Sequence, residues 1–130
     1  MVIGFKEHFV VSILSGIKQH TIREDKHNRW KPGMLMHMAT GVRTKNYYQF
    51  ALETCTRVDK IEIFWAGTTI VIFISGMQIC EFNTAGDFCN FGGNGYLNLF
   101  QLAIKDGFDG VDSFTKWFDK PFIGKIIYWW

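Results

Sequence analysis

The chain has 130 residues, of which 48% are hydrophobic and 20% are charged. This length predicts one domain over residues 1–130, and the composition excludes an intrinsically disordered, Pro-rich or collagen-like chain. The net charge of +2 divides unevenly, because residues 1–60 carry ten Lys and Arg and five acids (+5) whereas residues 61–130 carry four Lys and seven acids (−3). A face that binds a polyanion would therefore come mainly from the first half, unless those basic residues only keep the surface solvated.

The cysteines, the histidines and the longest uncharged segment bear on cofactors and compartment. Cys55, Cys80 and Cys89 are an odd number at wide spacing without a C-x-x-C pair, which argues against a zinc knuckle or a thioredoxin-like site. The four histidines lack metal-ligand spacing, so we expect no metal and no cofactor.

The uncharged run 63–80 is β-branched and interrupted by turn residues, which predicts strands and no membrane-spanning helix. With no signal-peptide pattern, we expect reduced thiols, a cytoplasmic location and no membrane partner.

Hydrophobic periodicity and turn residues divide the first half of the chain into short elements. A helix is predicted over Glu7–Leu14, where apolar residues recur at helical spacing and Gly16 follows the last turn. Polar, basic loops are predicted over Asp25–Gly33 and Thr40–Asn46. Strands are predicted at Met1–Phe5, His20–Glu24, Met34–Ala39 and, as one long or bent strand or two in succession, Tyr48–Trp65.

The second half of the chain continues with strands and ends with helices and a last strand. The Gly- and Asn-rich segment Asn83–Gly95 is predicted to be a loop, and helices are predicted over Tyr96–Lys105 and Ser113–Phe118. Strands are predicted at Thr68–Ile74, Met77–Phe82 and Ile123–Trp130. About six strands with two or three short flanking helices predict an α+β fold built on a small mixed β-barrel, because a strand meander does not suit parallel βαβ units.

The densest polar signal lies in the segment Gly16-Ile-Lys-Gln-His-Thr-Ile-Arg23. In an extended strand Thr21 and Arg23 point to one face while His20 points to the other, and Lys18 lies at the corner before the strand. A threonine hydroxyl is a weak nucleophile until a base takes its proton, and a lysine can be that base once burial or a positive neighbour lowers its pKa. Lys18, Thr21 and Arg23 are therefore candidate site residues, and an ordinary basic surface strand is the alternative.

Two loops combine basic side chains with aromatic rings. Such a mixture is typical of nucleic-acid binding, because cations contact phosphates and rings stack on bases. The candidate RNA-contacting residues are Lys26, Arg29, Trp30, Lys31, Arg43, Lys45 and Tyr47. Trp30 precedes a Lys-Pro-Gly turn and could equally be a core anchor at the start of a strand.

A family resemblance extends over nearly the whole chain. The run Ile13-Leu-Ser-Gly-Ile-Lys-Gln-His-Thr-Ile-Arg23, followed by Trp30-Lys-Pro-Gly33, resembles the start of an ASCH domain, whose signature is G-x-K-x-x-T-x-R. Leu102-Ala-Ile-Lys-Asp-Gly-Phe108 resembles the family's later element, in which an acid precedes Gly-Phe, and Ile126-Ile-Tyr-Trp129 resembles its last strand. The resemblance implies a PUA-like β-barrel fold, and the long middle meander is similar to that of phage- and prophage-encoded members.

The resemblance also implies a partner that contains RNA or a modified nucleoside. Small bacterial members of the family are amidohydrolases that remove the acetyl group from the exocyclic amine of acetylcytidine. By that resemblance Lys18 would be the activating base, Thr21 the nucleophile and Asp106 the acid, at a place where the family usually has glutamate. Other ASCH proteins are discussed as RNA-binding modules or ribonucleases, so a non-catalytic module that binds RNA or nucleotides on the same basic rim is the alternative function.

A third hypothesis makes the chain a structural protein that binds a partner. The uncharged hairpin over residues 63–80 would supply the contact surface. Because an exposed apolar sheet edge favours association, this hypothesis predicts a homodimer through that hairpin.

Overall fold

The computed structural model describes residues 1–85 and 95–130. Its strands are β1 (Val2–Gly4), β2 (His20–Arg23), β3 (Leu35–Thr40), β4 (Tyr48–Thr54), β5 (Arg57–Ala66), β6 (Thr69–Ile74), β7 (Met77–Asn83) and β8 (Phe122–Tyr128). Its helices are α1 (Val10–Leu14), which continues a 3-10 turn at Glu7–Phe9, α2 (Gly95–Lys105) and α3 (Val111–Trp117). The fold class is α+β, as predicted, with three short helices.

The strands form two hydrogen-bonded sheets. The larger sheet is antiparallel and has the strand order β2-β8-β5-β6-β7. The smaller sheet has the order β1-β3-β4, with β1 parallel and β4 antiparallel to β3. In the larger sheet, Lys125 of β8 pairs with Arg23 of β2 on one side and with Lys60 of β5 on the other. The motif strand β2 is therefore an edge strand, and β8 holds it in place.

The prediction of a barrel with about six strands is wrong, because the described residues form eight strands in two sheets that do not close into a barrel. Of the two alternatives predicted for Tyr48–Trp65, two strands in succession is confirmed, with β4 in the smaller sheet and β5 in the larger one. The N–H of Cys55 donates to Met34 O beside β3, and the N–H of Thr56 donates to Tyr128 O in β8, both over 2.8 Å. Consecutive residues are thus bound to different sheets, and the chain changes sheets instead of closing one cylinder.

Most other predicted elements are confirmed within two or three residues. The uncharged run 63–80 forms the end of β5, then β6 and part of β7, as predicted. The predicted loop Asn83–Gly95 contains residues 86–94, including Cys89, which lie outside the described residues. Within the residues that are described, no helix combines the length and the hydrophobicity that a membrane crossing requires.

Successive residues of β8 face two different hydrophobic cores, since side chains alternate along a strand. Ile126 packs in the core between the larger sheet and the helices α2 and α3, whereas Ile127 packs in the core that includes α1 and the smaller sheet. The first core also contains Ile22, Ile61, Ile63, Ile70, Ile72, Leu99 and Phe114. The second also contains Ile3, Phe9, Ile13, Met36, Met38 and Trp129. The larger sheet is therefore a middle layer, and β2 lies at its edge.

Candidate functional site

The candidate site forms where the chain entering β2 meets the end of α2. The N–H of Gln19 donates to Lys105 O over 2.7 Å, which ties these two segments together. Gly107 ends α2 in the left-handed region at φ +92°, where an added Cβ would come within 2.8 Å of Lys18 Cδ. Glycine is required here because it adopts this φ freely and leaves space for the lysine side chain. Asp106, the preceding residue, is thereby held beside Lys18.

The ammonium group of Lys18 is buried, since only 2% of the residue is exposed. Its Nζ donates to the carbonyl oxygens of His20, over 2.9 Å, and of Asp106, and lies 3.5 Å from Asp106 Oδ1. The ring centres of Phe9 and Phe5 lie 4.7 and 5.8 Å from Nζ, positions from which an aromatic ring attracts a cation. These oxygens and rings take the place of the water that surrounds a surface lysine.

This environment makes Lys18 a proton-exchanging group near neutral pH. Burial lowers the pKa of Lys18 from 10.5 to about 8; the Asp106 carboxylate opposes the shift, and the positive charge of Arg23 adds to it. With a pKa near 8, roughly one Lys18 side chain in ten is neutral at pH 7, against roughly one in three thousand for an ordinary lysine. A lysine with such a pKa can act as a base in catalysis.

His20 is a site residue that the sequence analysis did not include. Its Nδ1 lies 3.1 Å from Asp106 Oδ1, and both residues are buried. The His20 ring also packs edge-on against Tyr128, with ring centres 5.2 Å apart. Strand alternation correctly places His20 on the face opposite Thr21, but no local pattern shows that α2 ends against that face. Its position inside the motif segment was the signal that could have marked it.

Thr21 and Arg23 lie on the same face of β2, as predicted. Arg23 Nε donates to Thr21 Oγ1 over 3.3 Å, and Arg23 Nη2 donates to Gly4 O in β1. The guanidinium carbon lies 4.8 Å from the centre of the Phe5 ring. The guanidinium group is therefore fixed in a position where its charge acts on the Thr21 hydroxyl.

The Lys18 amine and the Thr21 hydroxyl are near each other in sequence but not bonded to each other. In the part of the chain that the structure describes, the hydrogen bonds of Lys18 Nζ go to His20 and Asp106 and none goes to Thr21 Oγ1. Thr21 is itself buried, with 5% exposure. A direct proton transfer between the two side chains therefore requires Lys18 Nζ to give up one of its present partners.

The predicted catalytic residues line one cleft, which we call the aromatic cleft and which has a volume of about 380 Å³. Its polar lining includes Lys18, Thr21, Arg23 and Asp106. Six aromatic side chains also line it, namely Phe5, Phe9, Phe108, Trp117, Phe118 and Phe122. This volume is typical of a small-molecule site, and the rings suit a planar ligand that carries polar groups at one edge.

The predicted RNA-contacting loop residues lie outside the aromatic cleft. The exposed residues among them are Lys26, Arg29, Lys31, Arg43, Lys45 and Tyr47. Lys26 forms an ion pair with Glu24 over 3.2 Å, and Glu24 itself lines the cleft. Trp30 is half-buried and packs against the core below the smaller sheet, so the core-anchor alternative describes it.

Comparison of the chain with protein-family models, with curated proteins and with solved structures finds no match. Across residues 1–85 and 95–130, no group of three His, Cys, Asp or Glu side chains could hold a metal ion. Cys55 and Cys80 are buried free thiols.

Proposed function

We propose that this chain is an ASCH-type protein that acts on RNA or modified nucleosides, and that it hydrolyses the acetyl amide of acetylcytidine. Thr21 is the nucleophile and Lys18 the activating base in this proposal. One observation carries it: a buried lysine with a pKa of about 8 shares an aromatic cleft with a buried threonine and a fixed arginine. An amide hydrolase needs such a base, a nucleophile and a positive group for the oxyanion.

The first step is the transfer of the Thr21 hydroxyl proton to neutral Lys18. An ammonium group has three N–H donors, whereas the neutral amine has two donors and a lone pair. When Lys18 loses a proton, its longest contact, the 3.5 Å one to Asp106 Oδ1, is the easiest to give up. The lone pair can then accept the proton of Thr21, and Asp106 keeps its second contact through the backbone carbonyl.

The following steps balance through the same two side chains. Thr21 Oγ1 forms a bond to the acetyl carbon, and the carbonyl oxygen becomes an oxyanion that the neighbouring Arg23 guanidinium stabilises. The C–N bond then breaks while the Lys18 ammonium gives its proton to the leaving amine of cytidine. Water next attacks the acetyl ester on Thr21, Lys18 takes one water proton and returns it to Thr21 Oγ1 as the ester C–O bond breaks, and acetic acid leaves and gives its proton to the solvent.

Asp106 acts in this proposal as a positioning residue. The carboxylate is one methylene shorter than the usual glutamate, yet it reaches both Lys18 Nζ at 3.5 Å and His20 Nδ1 at 3.1 Å. The aspartate side chain is long enough to reach Lys18 and His20 because α2 ends directly beside them. Its negative charge also keeps the pKa of Lys18 from falling further.

A product assay tests the proposal. Purified protein is incubated with acetylcytidine, and cytidine release is followed by chromatography. We expect release that falls on the order of 10³-fold or more in Thr21→Ala and in Lys18→Ala. The matched controls Thr54→Ala and Lys116→Ala change exposed residues outside the aromatic cleft and should keep the wild-type rate. Cytidine release by Thr21→Ala at the wild-type rate would refute the mechanism.

A second candidate function is RNA binding without catalysis, with ribonuclease activity as its catalytic variant. One observation favours simple binding: the hydrogen bonds of Lys18 Nζ are directed to His20 and Asp106 and away from Thr21. This function predicts RNA affinity that falls steeply with salt, together with no release of cytidine from acetylcytidine. RNA that shortens during the incubation, seen on a denaturing gel, would distinguish the ribonuclease.

The cytoplasmic location and the homodimer through the hairpin 63–80 stay predictions. In the structure Ile63, Ile70 and Ile72 of that hairpin are buried in the core, whereas Phe64 and Met77 are exposed. The surface available for a partner is therefore smaller than the sequence run suggests. Light scattering at high protein concentration measures the oligomeric state directly.

A further inference from the structure

Three positive side chains lie in one row across the larger sheet. Arg23 of β2 is directly opposite Lys125 of β8, and Lys125 is directly opposite Lys60 of β5. Residues that face each other across neighbouring strands share one face of the sheet. With strands about 4.8 Å apart, the row spans about 10 Å. Like charges in this arrangement repel one another, so an anion laid across the row would stabilise it.

The acids near this row, of which Glu24 and Asp25 also line the neighbouring pocket, are engaged with other groups, and Glu24 pairs with Lys26 over 3.2 Å. Lys60 pairs with Glu62 over 3.6 Å at a partly exposed site, where an ion pair contributes little. The Asp25 carboxylate accepts hydrogen bonds from the backbone N–H groups of Arg29 and Trp30 and so stabilises its own loop. Among the described residues, Lys125 has no ion-pair partner.

The row continues out of the aromatic cleft into a neighbouring groove, which we call the basic groove. Its volume is about 610 Å³, and its lining includes Lys26, Lys60, Lys125, Phe64 and Ile123. Glu24 and Phe122 line both the groove and the cleft. Arg23 lies at the cleft end of the row, and Lys125 and Lys60 lie at the groove end.

The groove forms because one face of the larger sheet passes from buried to exposed along β8. Ile127 is buried in the core that includes the smaller sheet, Lys125 is half-buried, and Ile123 is 59% exposed on the same face. Ile123 and the 39% exposed Phe64 give the groove an apolar floor beside the cations. Proteins that bind single-stranded nucleic acid combine positive charges, which contact the backbone, with exposed aromatic rings, on which bases stack.

We propose that the basic groove binds the phosphate backbone of a single-stranded RNA whose modified base occupies the aromatic cleft. Lys125 and Lys60 contact successive phosphate groups, and the Phe64 ring is available to a flanking base, while Arg23 stays bonded to Thr21 in the aromatic cleft. This inference rests on the proposed function, because it takes the cleft as the site of the base. It extends the substrate from the nucleoside in the cleft to a polynucleotide, whose backbone would contact Lys60 and Lys125 in the groove.

Fluorescence anisotropy with a labelled twelve-nucleotide oligocytidine, measured over a series of salt concentrations, tests the groove. In the double variant Lys60→Gln/Lys125→Gln we expect affinity to fall about tenfold or more at low salt, and the slope of log affinity against log salt to fall by about 1.4, the value for two lost phosphate contacts on a single strand. The control Lys105→Gln/Lys116→Gln removes the same charge from exposed residues outside the groove and should keep both values close to wild type.

The same double variant separates this inference from the proposed function. Neither lysine lines the aromatic cleft, so we expect its rate of cytidine release from free acetylcytidine to equal that of wild type. Wild-type protein that releases no cytidine would refute the proposed function, while RNA affinity lost only in the groove variant would still support the groove. RNA affinity and salt slope equal to those of the control variant would overturn the groove. Equally effective competition by poly-glutamate would overturn RNA in favour of an acidic protein partner.

Discussion

His20 Nδ1 lies 3.1 Å from Asp106 Oδ1, although 86 residues separate the two in sequence. This contact joins the motif strand β2 to the end of α2 in the interior of the protein. Because Lys18 Nζ contacts the same carboxylate oxygen, Asp106 is held from two sides and in turn fixes the direction of the lysine. The motif segment and the acidic element therefore form one unit, and a change in either alters the other.

The pH dependence of the proposed reaction follows from Lys18. The neutral amine is the active base, and its fraction increases with pH until the pKa of about 8 is passed. We therefore expect kcat/KM for acetylcytidine to rise about tenfold from pH 6 to pH 7 and to level off above pH 8. Initial rates in buffers of constant ionic strength measure this profile. A rate that falls with increasing pH over that range would exclude neutral Lys18 as the base.

Two neighbouring charges should move this profile in opposite directions. Asp106 raises the pKa of Lys18, so Asp106→Asn should shift the midpoint to lower pH. Arg23 lowers that pKa, so Arg23→Met should shift the midpoint to higher pH and also reduce the plateau rate, because the oxyanion loses a positive neighbour. Both shifts are read from kcat/KM between pH 5.5 and about 9.5.

Arg23→Lys is the matched control for these charge variants, since it retains the positive charge but not the planar group that bonds Thr21 and Gly4. It should return the midpoint toward that of the wild type without restoring the full plateau rate. Midpoints that move in the same direction for Asp106→Asn and Arg23→Met would show that another group determines the profile.

Gly107→Ala should destabilise the protein and the site together. An alanine at φ +92° is strained, and its Cβ would lie 2.8 Å from Lys18 Cδ and 2.9 Å from Phe9 Cδ1. We expect the free energy of unfolding to fall by about 2–4 kcal/mol, measured by urea denaturation followed by circular dichroism. Gly67→Ala is the control, because its φ of +61° is also strained for alanine but nothing lies within 4 Å of the added Cβ, so it should lose only about 1–2 kcal/mol. Equal stability losses in both variants would contradict this account.

Cys55 and Cys80 should be unreactive in the folded protein. Burial raises the pKa of both thiols, that of Cys80 to about 12, and Glu81 adds to the shift at Cys80. Because the thiolate is the reactive form, a Cys89→Ser variant should show no rapid reaction with a thiol reagent at pH 8. After denaturation in guanidinium chloride the same variant should release two equivalents of chromophore. One thiol that reacts within seconds in the native protein would show that its strand opens easily.

The sequence predicted the residues of the site that share one local segment. Lys18, Thr21 and Arg23 are close in the chain, and strand alternation alone places the last two on one face. The side of β2 on which Asp106 lies was harder to predict, because it depends on where a helix over 80 residues away ends. His20 was missed for the same reason, since its contact is with that distant carboxylate.

The sequence allowed two strands over Tyr48–Trp65, but the place of the break could not be predicted because it carries no turn signal. The chain leaves the smaller sheet at Cys55 and Thr56, where there is neither glycine nor proline. Hydrogen bonds from these two residues to Met34 and Tyr128 define the break, and both partners are distant in sequence. The role of Trp30 depended in the same way on a core that only the fold assembles.

The central position of β8 has a consequence during synthesis on the ribosome. Its residues Phe122–Tyr128 pair with β2 and with β5, so those two strands have no common neighbour until residue 128 has left the exit tunnel. Until then β2 lacks the only strand with which it pairs in the described sheet. The two hydrophobic cores also lack the side chains that β8 contributes, Ile126 to one and Ile127 to the other. The nascent chain therefore keeps apolar strand edges uncovered until late in translation, when aggregation and chaperone binding compete with folding.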